Sequence, residues 1–196
     1  CLSNSLPRIR RRDGSLSGKT AKQAKRSYTP TQGGDASFGI TFDRDTELTG
    51  YMKLKLWVSA KNADDMDLFV AVKKFDAQGN EVQFRGMNGF GGDVAAKGQM
   101  RVSQRELDDK LSTPWQPVQK FNGEKKLVPG SVVPVEIALL PSSTLLRKGE
   151  SLRLYVQGHH PVIQPLLFYG STINKGEHVL YTGGKYDSYL EVPVIP

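Results

Sequence analysis

The sequence predicts an all-β sandwich, and three observations carry that prediction. Apolar and polar residues alternate with period two over several short stretches, as in strands with one face on a core. Turn signals built from Gly, Pro, Asn and Asp separate those stretches. No long amphipathic helical pattern occurs anywhere in the 196 residues. That length suits one domain with a sizeable core plus a tail.

Residues 1–35 are rich in Ser, Gly, Thr and basic residues and poor in apolar ones. They read as a poorly structured basic linker or lead-in. Residues 36–196 read as the sandwich domain. The first strand expected there is 36–42, where Phe38, Ile40 and Phe42 alternate.

The stretch 46–82 organises the rest. Met52, Leu54, Leu56, Val58 and Ala60 alternate with Tyr51, Lys53, Lys55, Trp57 and Ser59. The first set belongs to a core face; the two lysines on the other face argue for solvent there. A second strand, 67–75, is apolar on both faces from Leu68 to Val72, so it reads as central and covered. Asp76-Ala77-Gln78-Gly79-Asn80 then reverses the chain into 81–85.

Residues 88–97 hold three glycines and read as a long loop. A short strand at 98–102 and a helical turn at 104–111 follow, the latter broken before Pro114. From 131 the strands return, with Val133, Val135, Ile137 and Leu139 in alternation. Pro134 lacks an N–H and marks an edge position or a strand start. Pro141-Ser142-Ser143-Thr144 and Arg147-Lys148-Gly149-Glu150 read as turns. A strand at 151–157 points Leu152, Leu154 and Val156 inward. A long connection, 158–176, precedes a closing pair, 177–181 and 187–192, around Gly183-Gly184.

Six motifs in series carry a resemblance: TELTGYMKLKLWV, DDMDLFVAVKKFDAQGNEV, KGQMRVSQRELD, STPWQPV, LVPGSVVPVEIALLPSSTLLRKGESLRLYVQG and HVLYTGGKYDSYLEVPVIP. The chain from about Tyr28 onward resembles the C-terminal, non-catalytic domain of X-Pro dipeptidyl-peptidase and cocaine-esterase (CocE/NonD) type serine hydrolases. The resemblance implies a jelly-roll sandwich of the galactose-binding-like type. It also implies that the nucleophile, acid and base belong to an α/β-hydrolase domain of the same polypeptide, absent from this chain. Shaping that domain's active-site cleft is the implied work, with homo-oligomer contacts as a further role.

The net charge of +7 is placed unevenly. Residues 8–26 hold eight basic residues against Asp13 alone, which leaves the remainder neutral. No aromatic residue is interleaved with that basic run, so bases would find no stacking platform and no nucleic-acid partner is expected. Nothing approaches a transmembrane run or a secretory signal peptide, so no membrane partner is expected. Cys1, the single cysteine, permits no intrachain disulfide and fits a reducing, cytoplasmic setting. A chain opening on Cys rather than Met reads as a fragment or processed product.

Candidates for chemistry are few. A nucleophile elbow needs small residues around its serine, and no G-x-S-x-G occurs; Gly14-Ser15-Leu16-Ser17-Gly18 has Leu16 at its centre. His159 and His160 are neighbours that would point to opposite faces of a strand, a poor start for a shared metal. His178 reads as a packing or hydrogen-bonding residue. No catalytic residue, metal site or cofactor is expected. Asp64, Asp65 and Asp67 put three carboxylates in four residues, but without the glycine and terminal glutamate of a calcium loop. Asp65 and Asp67 are therefore expected to accept backbone N–H bonds, with Asp67 partly buried and Asp64 solvated.

Arg101, Ser103 and Arg105 match a further motif of the resembled family, whose usual form has His where this chain has Gln104. They are candidates for structural ion pairs or an interdomain contact, as are Tyr186 and Asp187. Trp57, Trp115, Tyr181, Tyr186 and Tyr189 suit packing against another domain. The rival reading is a free-standing carbohydrate- or ligand-binding sandwich that uses those rings.

Overall fold

Two largely antiparallel sheets face each other in the computed structural model, which describes residues 8–11, 16–17, 22–86, 92–161 and 172–195. The N-terminal stretch supplies β1 (Arg8–Arg11), β2 (Leu16–Ser17) and β3 (Ala24–Tyr28). After a short 3-10 turn (Pro30–Gln32) come β4 (Asp35–Thr41), β5 (Thr46–Lys61) and β6 (Asp67–Phe75). Three two-residue strands follow: β7 (Glu81–Val82), β8 (Phe84–Arg85) and β9 (Gly92–Asp93). β10 (Ala96–Arg101) leads into a second 3-10 turn (Val102–Gln104). The chain ends with β11 (Val133–Leu146), β12 (Ser151–Gln157), β13 (Glu177–Thr182) and β14 (Tyr189–Val192).

One sheet is ordered β10-β6-β12-β4, with β7 extending the β10 side of β6. In the other, β5 pairs with β11 along one side and with β13 and β14 along the other. The chain changes sheet at successive long strands: β4, then β5, then β6, and later β10, β11, β12 and β13. This alternation is the jelly-roll pattern that the motifs imply. The inner faces meet in one core, where Met52, Leu54, Leu56 and Val58 of β5 are fully buried with Val70 and Val72 of β6. Ile137, Leu152 and Leu154 close it from β11 and β12. β6 lies between β10 and β12, as its two-faced apolar run predicts.

The reversal at 76–80 is built as expected. Asp76 Oδ1 accepts the N–H of Gln78 at 2.9 Å and of Asn80 at 2.8 Å, and Gly79 takes a φ of 89°. Pro134 sits on β11, which among the described residues has a strand partner on one side only.

Five expectations change. The basic lead-in is not devoid of structure: β3 pairs with β13, and β1 runs parallel to β14. Main-chain hydrogen bonds at a sheet edge need no apolar pattern, so composition does not reveal them. Pro141-Ser142-Ser143-Thr144 is no turn but the middle of β11. A register shift between Leu139 and Ser142 absorbs the donor that Pro141 lacks. The helical turn expected over 104–111 shrinks to its end: Gln104 closes the 3-10 turn, Leu107 bridges to Gln119, and only 108–112 turns helically, with the Ser112 N–H on the Asp108 carbonyl at 2.9 Å. β13 and β14 do not pair with each other. They lie end to end on the same side of β5, and the chain between them makes a loop over the sheet. Lastly, the lysines of β5 do not both face solvent. Lys53 is 7% exposed, because the chain near Pro114 covers it. Residues 88–91 of the loop expected at 88–97, the middle of the connection expected at 158–176 and most of 14–18 lie outside the described residues; the rest of 88–97 holds β9 and the start of β10.

Candidate functional site

The acidic loop between β5 and β6 draws four parts of the chain together. Asp65 is 3% exposed. Its Oδ1 accepts the N–H groups of Met66 and Ser103, both at 2.9 Å, and its Oδ2 meets Lys126 Nζ at 3.0 Å. Burial opposes the charge. The Ser103 hydroxyl, Lys126 and the two amides outweigh it and hold the carboxyl below its usual range. The Ser103 Oγ is itself buried and meets no partner in ordinary hydrogen-bond geometry.

Asp67 opens β6 directly opposite Arg101 of β10. Its Oδ1 takes Arg101 Nε at 2.8 Å; its Oδ2 takes Nη2 at 3.1 Å and the N–H of Ile173, also at 3.1 Å. The hydrogen bond to Asp67 raises the affinity of Arg101 for its proton. Asn174 completes the knot. Its Oδ1 accepts the Asp67 N–H at 2.7 Å, while its Nδ2 donates to the carbonyls of Asp67 at 3.0 Å and Gly158 at 2.8 Å. Arg105 Nη1 donates to the Val102 carbonyl at 3.1 Å and to that of Lys125. Asp64 remains exposed, and its carbonyl accepts the Leu127 N–H at 2.6 Å. Both buried carboxylates are thus engaged by N–H and cationic donors, the opposite of the oxygen cage a calcium ion takes. An open cleft beside the loop is lined by Asn62, Asp64, Lys126, Ile173 and Lys175.

The second cluster lies on the outer face of β5, where the loop between β13 and β14 folds over it. Asp187 Oδ2 accepts Lys55 Nζ at 2.7 Å, and its Oδ1 accepts Trp57 Nε1 at 2.8 Å. Burial opposes its charge, but these donors hold the Asp187 carboxyl below its usual range. The Tyr186 ring lies 5.6 Å from that of Trp57 and 5.0 Å from that of Tyr181, tilted by 59° and 47°. Ser188 Oγ donates to the Tyr181 carbonyl at 2.7 Å and accepts the Trp57 N–H at 3.2 Å. Nearby, Lys53 Nζ bonds the Pro114 carbonyl and lies 3.2 Å from Glu136 Oε2.

His178 lies inside the sandwich and is fully buried. Its Nδ1 is 3.1 Å from the Tyr28 hydroxyl, and its Nε2 is buried with no partner. Burial pushes the imidazole down to about 4, against a smaller opposing pull from Asp67. Burial, with Asp35 nearby, pushes the Tyr28 hydroxyl up.

The two clusters therefore contain all seven residues singled out in the sequence: Asp65, Asp67, Arg101, Ser103 and Arg105 in one, Tyr186 and Asp187 in the other. Sequence reasoning missed Lys126, Asn174 and Tyr28. Lys126 sits in a lysine pair and Asn174 in a polar connection, and neither spacing points to a partner. No helix among the described residues is long and apolar enough to cross a membrane.

A family model for the X-Pro dipeptidyl-peptidase C-terminal non-catalytic domain matches residues 12–191. Two crystal structures of a CocE/NonD family hydrolase from Staphylococcus aureus are similar to this chain. One is 46% identical over 92% of this chain and 34% of that one, with a TM-score of 0.87. The other is 44% identical over 96% and 36%, with a TM-score of 0.88. An alpha-amino acid ester hydrolase shares the fold alone, at 12% identity and a TM-score of 0.61 over 96% of this chain and 36% of that one. Among curated proteins there is no match to the sequence. The chain spans about a third of the length of these solved relatives. On the match across residues 12–191, the chain belongs to the family of X-Pro dipeptidyl-peptidase C-terminal non-catalytic domains.

Proposed function

We propose that this chain works as the accessory domain of a larger serine hydrolase of the X-Pro dipeptidyl-peptidase or CocE/NonD type. Its task is to pack against an α/β-hydrolase body in the same polypeptide and wall one side of that body's active-site cleft. One observation carries the reading: the solved hydrolases that the chain resembles at 44–46% identity are about three times its length. The local chemistry agrees. Asp65, Asp67 and Arg101 are spent on ties between loops, and His178 faces Tyr28 inside the core, so none of them is poised for substrate. The full enzyme would split an ester, amide or peptide bond through an acyl-enzyme. A cytoplasmic setting fits a chain with one cysteine.

The carbohydrate-binding rival has less support. Its best rings, Trp57 and Tyr186, are tilted against each other by 59°, whereas a sugar stacks on a flat platform. The Trp57 indole N–H and the Asp187 carboxylate, which a sugar hydroxyl would need, already satisfy each other.

The test compares the 196-residue chain with a polypeptide that carries a hydrolase body ahead of it. Both are incubated with a fluorophosphonate probe, aminoacyl-prolyl anilides and acyl esters. Labelling and turnover are expected only in the longer polypeptide, on a serine outside these 196 residues. Stoichiometric labelling of a serine within them would overturn the proposal.

A further inference from the structure

Between β10 and β11 the chain makes an excursion outside the two sheets. Residues 106–120 fold back as a narrow hairpin. The Asp108 N–H bonds the Val118 carbonyl at 2.8 Å, and the Lys120 N–H bonds the Glu106 carbonyl at 3.0 Å. Thr113 and Gln116 close the tip through reciprocal bonds of 3.0 and 3.3 Å. The hairpin is braced from below. Lys53 Nζ holds the Pro114 carbonyl, and Gln119 Nε2 reaches the Glu136 carbonyl at 3.2 Å. At its base the Glu106 carboxylate lies between Lys125 and Lys120, and those two donors hold its carboxyl at about 2.

This braced excursion displays large apolar side chains. Leu111 is 65% exposed, Trp115 43% and Phe121 72%. Phe121 also has a φ of 51°, in the left-handed region that bulky residues avoid. Backbone strain of this kind persists where the surroundings determine it, and it clusters at functional contacts. Here the strained residue carries an aromatic ring that buries little within the chain.

We propose that this hairpin, with Phe121 at its base, is the docking surface for the hydrolase body that precedes β1 in the same polypeptide; the inference rests on the accessory-domain reading above. Two observations select that occupant. The solved relatives keep roughly two thirds of their length outside the part this chain covers. The sheet also brings β1 itself near the hairpin. In register, Arg10 of β1 pairs with Glu191 of β14, which pairs with Lys53 of β5, the residue that grips the hairpin tip. Two strand spacings separate that point from Lys53, about 10 Å. The chain enters β1 at Arg8, in register through Tyr189 with Lys55, two residues along β5 from Lys53, so a body joined ahead of β1 lies within reach of the exposed apolar surface.

The experiment measures amide hydrogen exchange across the 196-residue chain, alone and joined to its hydrolase body, together with the Phe121→Gly variant of each. Glycine tolerates positive φ, so the variant separates strain from contact. Residues 107–121 are expected to exchange at least tenfold more slowly in the joined polypeptide. Phe121→Gly is expected to raise the melting temperature of the chain alone and to lose that protection in the joined form. Protection confined to other surfaces would overturn this inference and leave the accessory-domain reading standing. Protection nowhere on the chain would remove that reading as well. A lower melting temperature for Phe121→Gly in the chain alone would show that the ring serves its own fold. A concentration-dependent dimer of the chain alone, abolished by Phe121→Gly, would make a second copy the occupant; both results overturn the proposal.

Discussion

Asp67 and Arg101 stand directly opposite each other on β6 and β10 and meet through two parallel contacts, Nε to Oδ1 at 2.8 Å and Nη2 to Oδ2 at 3.1 Å. The same carboxylate holds the Ile173 N–H at 3.1 Å, so one side chain ties two strands and the connection that follows β12. Replacing Asp67 by Ala leaves a partly buried amide and a guanidinium without their acceptor. The expected loss is about 1–3 kcal/mol, read as a lower urea midpoint with an unchanged m-value. Asp64→Ala, at an exposed position, is expected to leave the midpoint where it is. A chelator is expected to leave the wild-type melting temperature unmoved; a clear fall, reversed by added calcium, would refute the structural role.

Leu56 is fully buried at the centre of β5, opposite Val135 of β11. Leu56→Ala removes its methyl groups from a core closed on both sides. The expected cost is about 2–5 kcal/mol, from transfer energy and the residual cavity. An unchanged denaturation midpoint would mean that this face of β5 does not line the core.

Gly98 lies where β10 crosses close to β11. A Cβ added there would come within 2.4 Å of the Ala138 carbonyl oxygen. That neighbour is backbone and cannot swing aside, so Gly98→Ala must push the two strands apart. A loss of about 1–3 kcal/mol is expected. Gly79→Ala is the control for positive φ alone, since nothing lies within 4 Å of its added Cβ.

The buried His178–Tyr28 contact gives stability a pH dependence. The His178 imidazole is held down at about 4, against 6.5 for an exposed histidine. Between those values the unfolded chain binds the extra proton, so folding is favoured by raising pH. The contribution is complete above about 6.5 and is lost as pH falls toward 4, to a total of about 3 kcal/mol. His178→Phe is expected to flatten this part of the stability–pH curve. A wild-type curve already flat between pH 6.5 and 4 would show that the imidazole is not excluded from water.

The strand alternation of β5, the two-faced apolar run of β6, the turn at Asp76 and, from Pro134, an edge position or strand start at β11 were all legible along the chain. Each rests on a short-range property: a period of two, the reach of an Asp side chain to amides two and four residues ahead, or the missing N–H of Pro134. Asp65 and Asp67 were legible as hydrogen-bond acceptors, and Asp67 as partly buried, since a carboxylate at the mouth of an apolar strand needs donors; the deep burial of Asp65 was not legible. Their donors were not legible. Asn174 reaches Asp67 across 107 residues and Lys126 reaches Asp65 across 61, and no local pattern encodes which loop arrives at a strand end. The fate of Lys53 was decided in the same way, by a hairpin that folds back over an otherwise ordinary outer face. So was the placing of β13 and β14 end to end beside β5, and the use of β1 and β3 to extend their edge. Which residues face inward follows from the strand period. Which strand becomes a neighbour, and which polar group is covered, follows from how the sheets close. That closure depends on the whole chain and on its need to satisfy every buried N–H and C=O.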